Sequence, residues 1–116
     1  MNEERFHLEV SKKELTKALK LIVRFKKAAG KGELMMLSLK DGLLTFSMAH
    51  INVGVPATGV WEVDVLAPAF SIYGLARVPL LTDPVVITVR DDKLRIGSSV
   101  IMVQWAGMTE ERGSTT

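Results

Sequence analysis

The strongest constraint on this chain is an order of segments that occurs twice. Phe6–Val10 alternates apolar and polar residues, as a half-buried strand does, and residues 61–65 repeat its pattern of aromatic, any residue, aliphatic, acidic, valine. Each of these strands is followed by a segment with helical features and then by short apolar runs separated by turn residues. Two β-α-β-β-β units predict one α+β domain with two helices on one side of antiparallel sheets.

The first helix has a clear start signal and a clear apolar face. Ser11 and Glu14 have the spacing of a capping box, and Val10 and Leu15 have the spacing of a hydrophobic staple. Gly30 and Gly32 predict its end. At about 100° per residue, the apolar side chains fall on one face, which we expect to pack on the core: Leu15, Ala18, Leu19, Ile22, Phe25 and Ala29.

Turn residues divide the rest of the chain into short elements. Asp41-Gly42 predicts a tight hairpin turn, residues 90–93 predict a second turn, and Pro68 predicts the first turn of a second helix that ends near Arg77. Pro56 predicts the end of a strand, with residues 57–59 as a connection. The strands are predicted at 34–39, 43–48, 51–55, 60–66, 85–89, 94–97 and 100–105.

Length and composition indicate one globular domain. The chain has 116 residues, of which 47% are hydrophobic and 24% charged, and we expect a domain over residues 1–107 followed by a disordered tail over 108–116. The sequence contains no cysteine, which excludes disulfides, thiolate metal sites and cysteine nucleophiles. No apolar run approaches the roughly 18 residues of a membrane span. The charged N-terminus lacks the apolar region of a signal peptide, so a cytoplasmic location is expected.

The net charge is small, but its distribution is uneven. Residues 11–31 contain eight basic side chains and one acid, Glu14, so this segment carries +7 while the whole chain carries only +2. The remainder therefore carries −5. A basic surface on an acidic body suggests a polyanionic partner.

Five of these cations share one side of the first helix. Lys13, Lys17, Lys20, Arg24 and Lys27 lie within about 40° of one line, opposite the apolar face. Such like charges repel each other, and a phosphate backbone would relieve the repulsion. The helix lacks the residues of a sequence-reading helix, so we expect non-specific contact with duplex DNA. The alternative is that these lysines only keep an amphipathic helix soluble.

Other candidate sites are weak. His7 and His50 are far apart in sequence and have no further ligand at metal spacing, while Asp91-Asp92 lies in a predicted turn where aspartate is common for backbone reasons. Ser98-Ser99 has no nearby base. We therefore expect no enzyme activity, no metal and no cofactor.

The last predicted strand is apolar on both faces. If it lies at a sheet edge, it can pair with another chain, and the candidate contact residues are then Val100, Ile101, Met102 and Val103. The alternative is a strand buried between helix and sheet.

The repeated element order resembles one domain of the DNA sliding clamp family, the bacterial β clamp and proliferating cell nuclear antigen group. The similarity covers residues 5–106 at the level of patterns. It rests on Phe6–Val10 leading into Ser11, Glu14 and Leu15; Leu39, Asp41, Gly42 and Leu44 in the first hairpin; Val65, Ala67 and Phe70 at the second helix; and Val86, Ile87, Asp92, Leu94, Ile96 and Val100 in the last strands.

The resemblance implies a non-catalytic module that acts as part of a ring. In that family six domains surround duplex DNA, their helices line the hole, and sheet edges join neighbouring domains. By similarity Lys13, Lys17, Lys20, Arg24 and Lys27 would face DNA, with Arg77 added from the second helix. Replication or repair proteins would be further partners. This chain departs from the family by carrying one domain, so a ring would need six copies, and by the single cation near its second helix. An adaptor that keeps the fold but does not encircle DNA is the alternative.

Overall fold

The computed structural model describes residues 5–24, 33–48 and 51–105. Several residues of the sequence analysis lie outside these ranges. They are Phe25, Lys27, Ala29, the helix-ending Gly30 and Gly32, His50 and the predicted tail from residue 108. The described elements, in chain order, are β1 (Phe6–Val10), α1 (Lys12–Arg24), β2 (Leu34–Lys40), β3 (Leu43–Met48), β4 (Ile51–Trp61), β5 (Val65–Pro68), α2 (Ala69–Leu75), β6 (Val85–Arg90), β7 (Lys93–Ile96), β8 (Ser99–Met102) and β9 (Gln104–Trp105).

The strands of the described residues form one antiparallel sheet in the order β8-β7-β6-β1-β4-β3-β2-β5-β9. Although β8 and β9 stand at opposite ends of this order, only Val103 separates them along the chain. The two ends of the sheet must therefore approach each other, and β8 indeed contacts β5. The sheet nearly closes on itself, and the predicted α+β class with antiparallel strands is confirmed.

Both predicted hairpin turns are confirmed by their backbone conformation. Asp41 and Gly42 have φ values of 51° and 78°, and Asp91 and Asp92 have φ values of 53° and 64°. Two successive residues with positive φ form the type I′ turn that matches the twist of paired strands. The first turn joins β2 to β3 and the second joins β6 to β7.

The prediction of a strand end at Pro56 is wrong, because β4 continues through it to Trp61. Pro56 faces Leu43 of β3, and the neighbouring Ala57 N–H donates to the Gly42 carbonyl at 2.9 Å, so the missing N–H of Pro56 points away from β3. On the other side, β1 ends at Val10 opposite Ala57. Neither neighbour needs a hydrogen bond from Pro56, so the proline is tolerated.

Three further boundaries differ from the sequence prediction. The strand predicted at 60–66 is divided between the end of β4 and β5, and α2 occupies Ala69–Leu75, with Pro68 as its extended N-cap residue. The strand predicted at 100–105 is interrupted at Val103, because β8 pairs with β7 whereas β9 pairs with β5. The strand boundaries differ because they depend on which strands pair with each other. The alternation of apolar and polar residues along the chain does not reveal these partners.

The core fills the space between the curved sheet and the two helices. Leu8, Leu37, Phe46 and Ile87 are fully buried side chains from different strands. Trp61 of β4 contacts two other strands, because its Nε1–H donates to the Leu37 carbonyl of β2 at 3.0 Å and its ring meets Phe6 of β1 edge-on, with 5.2 Å between centroids. The described helices pack against each other and against this sheet, which leaves their outer faces as the accessible surface on that side.

Tyr73 of α2 supports a test of this packing, because its hydroxyl is buried without a hydrogen-bond partner among the described residues. Burial, and secondly the charge of Glu33, raise the pKa of Tyr73 above its ordinary value of about 10. As the pH rises, the Tyr73 hydroxyl therefore ionises in the unfolded chain before it ionises in the folded chain. The free energy of unfolding keeps the contribution of this group below pH 10 and loses it as the pH rises through the folded pKa.

We expect the absorbance of tyrosinate to appear above pH 10 in the folded chain and near pH 10 in guanidinium. Tyr73 is the single tyrosine of the sequence, so the signal is unambiguous. Tyr73→Phe should retain or slightly raise stability at pH 7, because it removes an unpaired hydroxyl, and should weaken the loss of stability at alkaline pH. Equal titration midpoints in the folded and unfolded chain would contradict this account.

Candidate nucleic-acid interface

Helix α1 begins where the sequence predicts, and two oxygen atoms hold its first turn. The Ser11 Oγ accepts from the Glu14 N–H at 3.3 Å, as the capping pattern predicts. The Asp83 Oδ1 accepts from the Lys12 N–H at 3.1 Å. The second bond joins residues 71 positions apart and was not evident from the sequence. It attaches the segment after α2 to the beginning of α1.

The apolar face of α1 is packed on the core as predicted. Leu15, Ala18, Leu19 and Ile22 are all buried, and the helix lies mainly against β4. This fixes the rotation of α1 about its axis. Its opposite side must therefore face away from the sheet.

The four described cations of the predicted line are all exposed on that opposite side: Lys13, Lys17, Lys20 and Arg24. We call these four residues the basic face. Lys27, the fifth predicted member, lies outside the described residues. The structure thus brings four of the predicted DNA-binding residues together on one surface.

The basic face has no carboxylate partner within residues 5–24, 33–48 and 51–105. The ion pairs found there join Arg5 to Glu62 at 2.7 Å and His7 to Glu9 at 3.8 Å, and neither involves α1. Glu14, the acid in the first turn, is about 100° from Lys13 and about 60° from Lys17, so it can offset at most one of the four cations. The face therefore keeps a net positive potential among the described residues.

Arg77 has a different position from the one expected. It lies two residues beyond the end of α2 and lines a groove together with Lys12 and Thr16 of α1. Lys12 is about 100° from Lys13 around the helix, so Arg77 faces a flank of α1 and not the basic face. Helix α2 itself contains no cation.

Two large apolar side chains are exposed although the sequence analysis did not predict their exposure. Phe70 on α2 and Leu81 in the following segment are each 80% exposed. The helical period does contain a signal for Phe70. Ala69, Ile72 and Leu75 are the buried residues of α2, and Phe70 lies about 160° from the centre of their stripe. No such signal exists for Leu81, which lies outside any helix or strand.

The four residues proposed for self-association divide into two pairs. Val100 and Met102 of β8 are 48% and 60% exposed, whereas Ile101 and Val103 are each 7% exposed and belong to the core. Alternation along the strand accounts for this division. Only Val100 and Met102 remain available to another chain.

The described residues contain no group of three histidine, aspartate or glutamate side chains placed to hold a metal ion. Neither α1 nor α2, as far as the structure describes them, combines the length and the apolar character that a bilayer-crossing helix needs. Comparisons with models of known protein families, with curated proteins and with solved structures find no match to this chain.

Proposed function

We propose that this chain is a non-catalytic, clamp-like module that binds duplex DNA without sequence preference through the basic face of α1. The observation that carries the proposal is the arrangement of four exposed cations on one side of a helix whose other side is fixed to the core. Lys27 would extend this surface, and Arg77 would contribute from its flank.

The basic face is suited to phosphates and not to bases. From Lys13 to Arg24 it extends about 16 Å along the helix axis, and one DNA strand carries about five phosphates over that length. Three of its four cations are lysines, which act on phosphates as point charges, and Arg24 alone carries a planar fork of donors. Binding a polyanion would also relieve the repulsion between neighbouring cations on α1, at about 0.2–0.5 kcal/mol per pair.

The element order supports the clamp-like part of the proposal. The described chain runs β-α-β-β-β and then again β-α-β-β-β, with one further short strand, and both helices lie together against the antiparallel sheet. We propose that copies of the chain associate through β8, with Val100 and Met102 as the contact side chains. A six-membered ring, a dimer or an open assembly would all present α1 repeatedly to DNA.

Binding to a duplex of arbitrary sequence should weaken steeply with salt. Four phosphate contacts predict a slope of about −3.6 for the logarithm of the association constant against the logarithm of salt concentration, or roughly a hundredfold loss between about 50 and 200 mM. Fluorescence anisotropy with two unrelated duplexes would measure both slope and sequence preference. A flat salt response would contradict the proposal.

Self-association predicts a solution mass above that of one chain by light scattering. Met102→Lys should return the mass to that of the monomer, because it places a charge in an apolar contact. Lys93→Met on the neighbouring strand β7 removes a charge instead of adding one, so it should not dissociate the assembly. A wild-type monomer at all concentrations would exclude the ring.

The exposed Phe70 favours a second candidate function, a clamp-fold adaptor that docks on another protein without encircling DNA. Phe70 is 80% exposed on a helix without cations, and aromatic side chains are enriched in the contacts between proteins. Docking through apolar surface depends little on salt, so the same titration distinguishes the two functions.

A further inference from the structure

A groove of about 490 Å³ separates the beginning of α1 from the segment that follows α2. Its two walls are held together by the bond from the Lys12 N–H to Asp83. This hydrogen bond fixes the segment after α2 beside the first turn of α1, and the volume of the groove lies within the range of about 300–1,000 Å³ that binding pockets have.

The lining of the groove is mainly apolar. Leu19 of α1 and Leu75 of α2 lie at its base, and Val78, Pro79 and Leu80 line it from the following segment. Val78 is 39% exposed, so apolar surface remains accessible. The neighbouring Leu81, 80% exposed, continues this apolar surface along the chain. Such a surface favours binding of an aliphatic side chain, because a phosphate backbone offers no apolar group that could be buried against it.

The charged groups that line the groove are both positive. Lys12 and Arg77 are exposed, and the carboxylate of Asp83, which accepts from the Lys12 N–H at 3.1 Å, is outside the groove lining. The Thr16 hydroxyl already donates to the Lys12 carbonyl at 2.7 Å, so it is not a free donor. A ligand that carries carboxylates would therefore be attracted by two cations beside an apolar floor.

We propose that this groove binds a short segment of a partner protein in which acidic residues alternate with aliphatic ones. The aliphatic side chains fill the apolar floor, and the carboxylates pair with Lys12 and Arg77. The site is separate from the basic face of α1, so the proposal does not depend on DNA binding. It gives Arg77 a role in peptide recognition.

The test uses the full chain and a labelled synthetic peptide of alternating leucine and aspartate. Two matched peptides carry lysine for aspartate or serine for leucine. The acidic, aliphatic peptide should bind the wild type, and both counterparts should bind at least about tenfold more weakly. In nitrogen-15 spectra the peptide should shift the amide signals of Lys12, Thr16, Arg77, Val78 and Leu80.

Protein variants separate the groove from general charge. Arg77→Glu and Val78→Ser should each weaken peptide binding by about tenfold, whereas Arg95→Glu, an exposed arginine on β7, should leave it unchanged. The proposal is overturned if the wild type binds no acidic peptide at millimolar concentration, if the shifted signals lie elsewhere, or if Arg95→Glu has the same effect. It is also overturned if Arg77→Glu weakens duplex DNA binding and leaves peptide binding intact, which would assign the groove to nucleic acid.

Discussion

Replacement of Lys17, Lys20 and Arg24 together by glutamate is expected to lower the affinity for duplex DNA by at least about a hundredfold at low salt. The triple variant removes three of the four described cations of the basic face and places carboxylates against the phosphates. The salt slope should also decrease in magnitude by about three. All three side chains are exposed, so circular dichroism and the melting temperature should change little.

A matched control keeps the net charge equal. Lys40, Lys93 and Arg95 are exposed and lie on strands away from α1. Because Lys93 and Arg95 lie opposite Met102 and Val100 of β8, the solution mass of this control is measured together with its DNA affinity. Their replacement by glutamate changes the net charge by the same amount as the α1 variant. If both triple variants weaken DNA binding equally, the protein responds to total charge and the basic face is not a binding site. If neither does, the DNA proposal fails and the adaptor function gains support.

Gly59→Ala is expected to cost about 3 kcal/mol of folding stability. Gly59 has a φ of 133°, which residues with a Cβ rarely adopt, and an added Cβ would lie 1.9 Å from the carbonyl oxygen of His7 on β1. The neighbouring backbone cannot move away without disturbing the pairing of β1 with β4. The melting temperature should fall by roughly 10 °C or more.

Gly54→Ala on the same strand is the control for this substitution. Its added Cβ would meet only the Leu43 side chain, at 3.7 Å, and its φ is not in the positive region. We expect a change within about 1 kcal/mol, which can be favourable because alanine has less freedom than glycine in the unfolded chain. Equal losses from both variants by thermal and urea unfolding would contradict the close approach at Gly59.

The sequence predicted those elements whose signals lie within the element or within a few residues of it. The position of α1 follows from Ser11, Glu14 and the period of Leu15, Ala18, Leu19 and Ile22, all of which act within a few turns. The hairpins follow from turn residues that tolerate positive φ. The basic face was predictable for the same reason, because a helix rotates by a fixed angle per residue.

Features that depend on distant partners could not be predicted. Pro56 normally ends a strand, and only the places where β1 ends and where β3 bonds to Ala57 make it acceptable within β4. The break at Val103 arises because β8 pairs with β7 whereas β9 pairs with β5. Arg77 was expected beside the basic face only from the resemblance to clamp domains, and its place beside Lys12 and Thr16 in the groove has no local signal.

The place of β1 in the sheet has a consequence for how the chain acquires its structure during synthesis. Among the described strands β1 is synthesised first, yet it lies between β4 and β6, which are translated much later. Until those strands emerge, the nascent chain exposes both edges of β1 and the apolar side chains Phe6, Leu8 and Val10. Contacts over such long separations make acquisition of the native state slow. Until β4 and β6 have been synthesised, β1 is therefore open to pairing with other chains, and a chaperone that binds apolar segments would protect it.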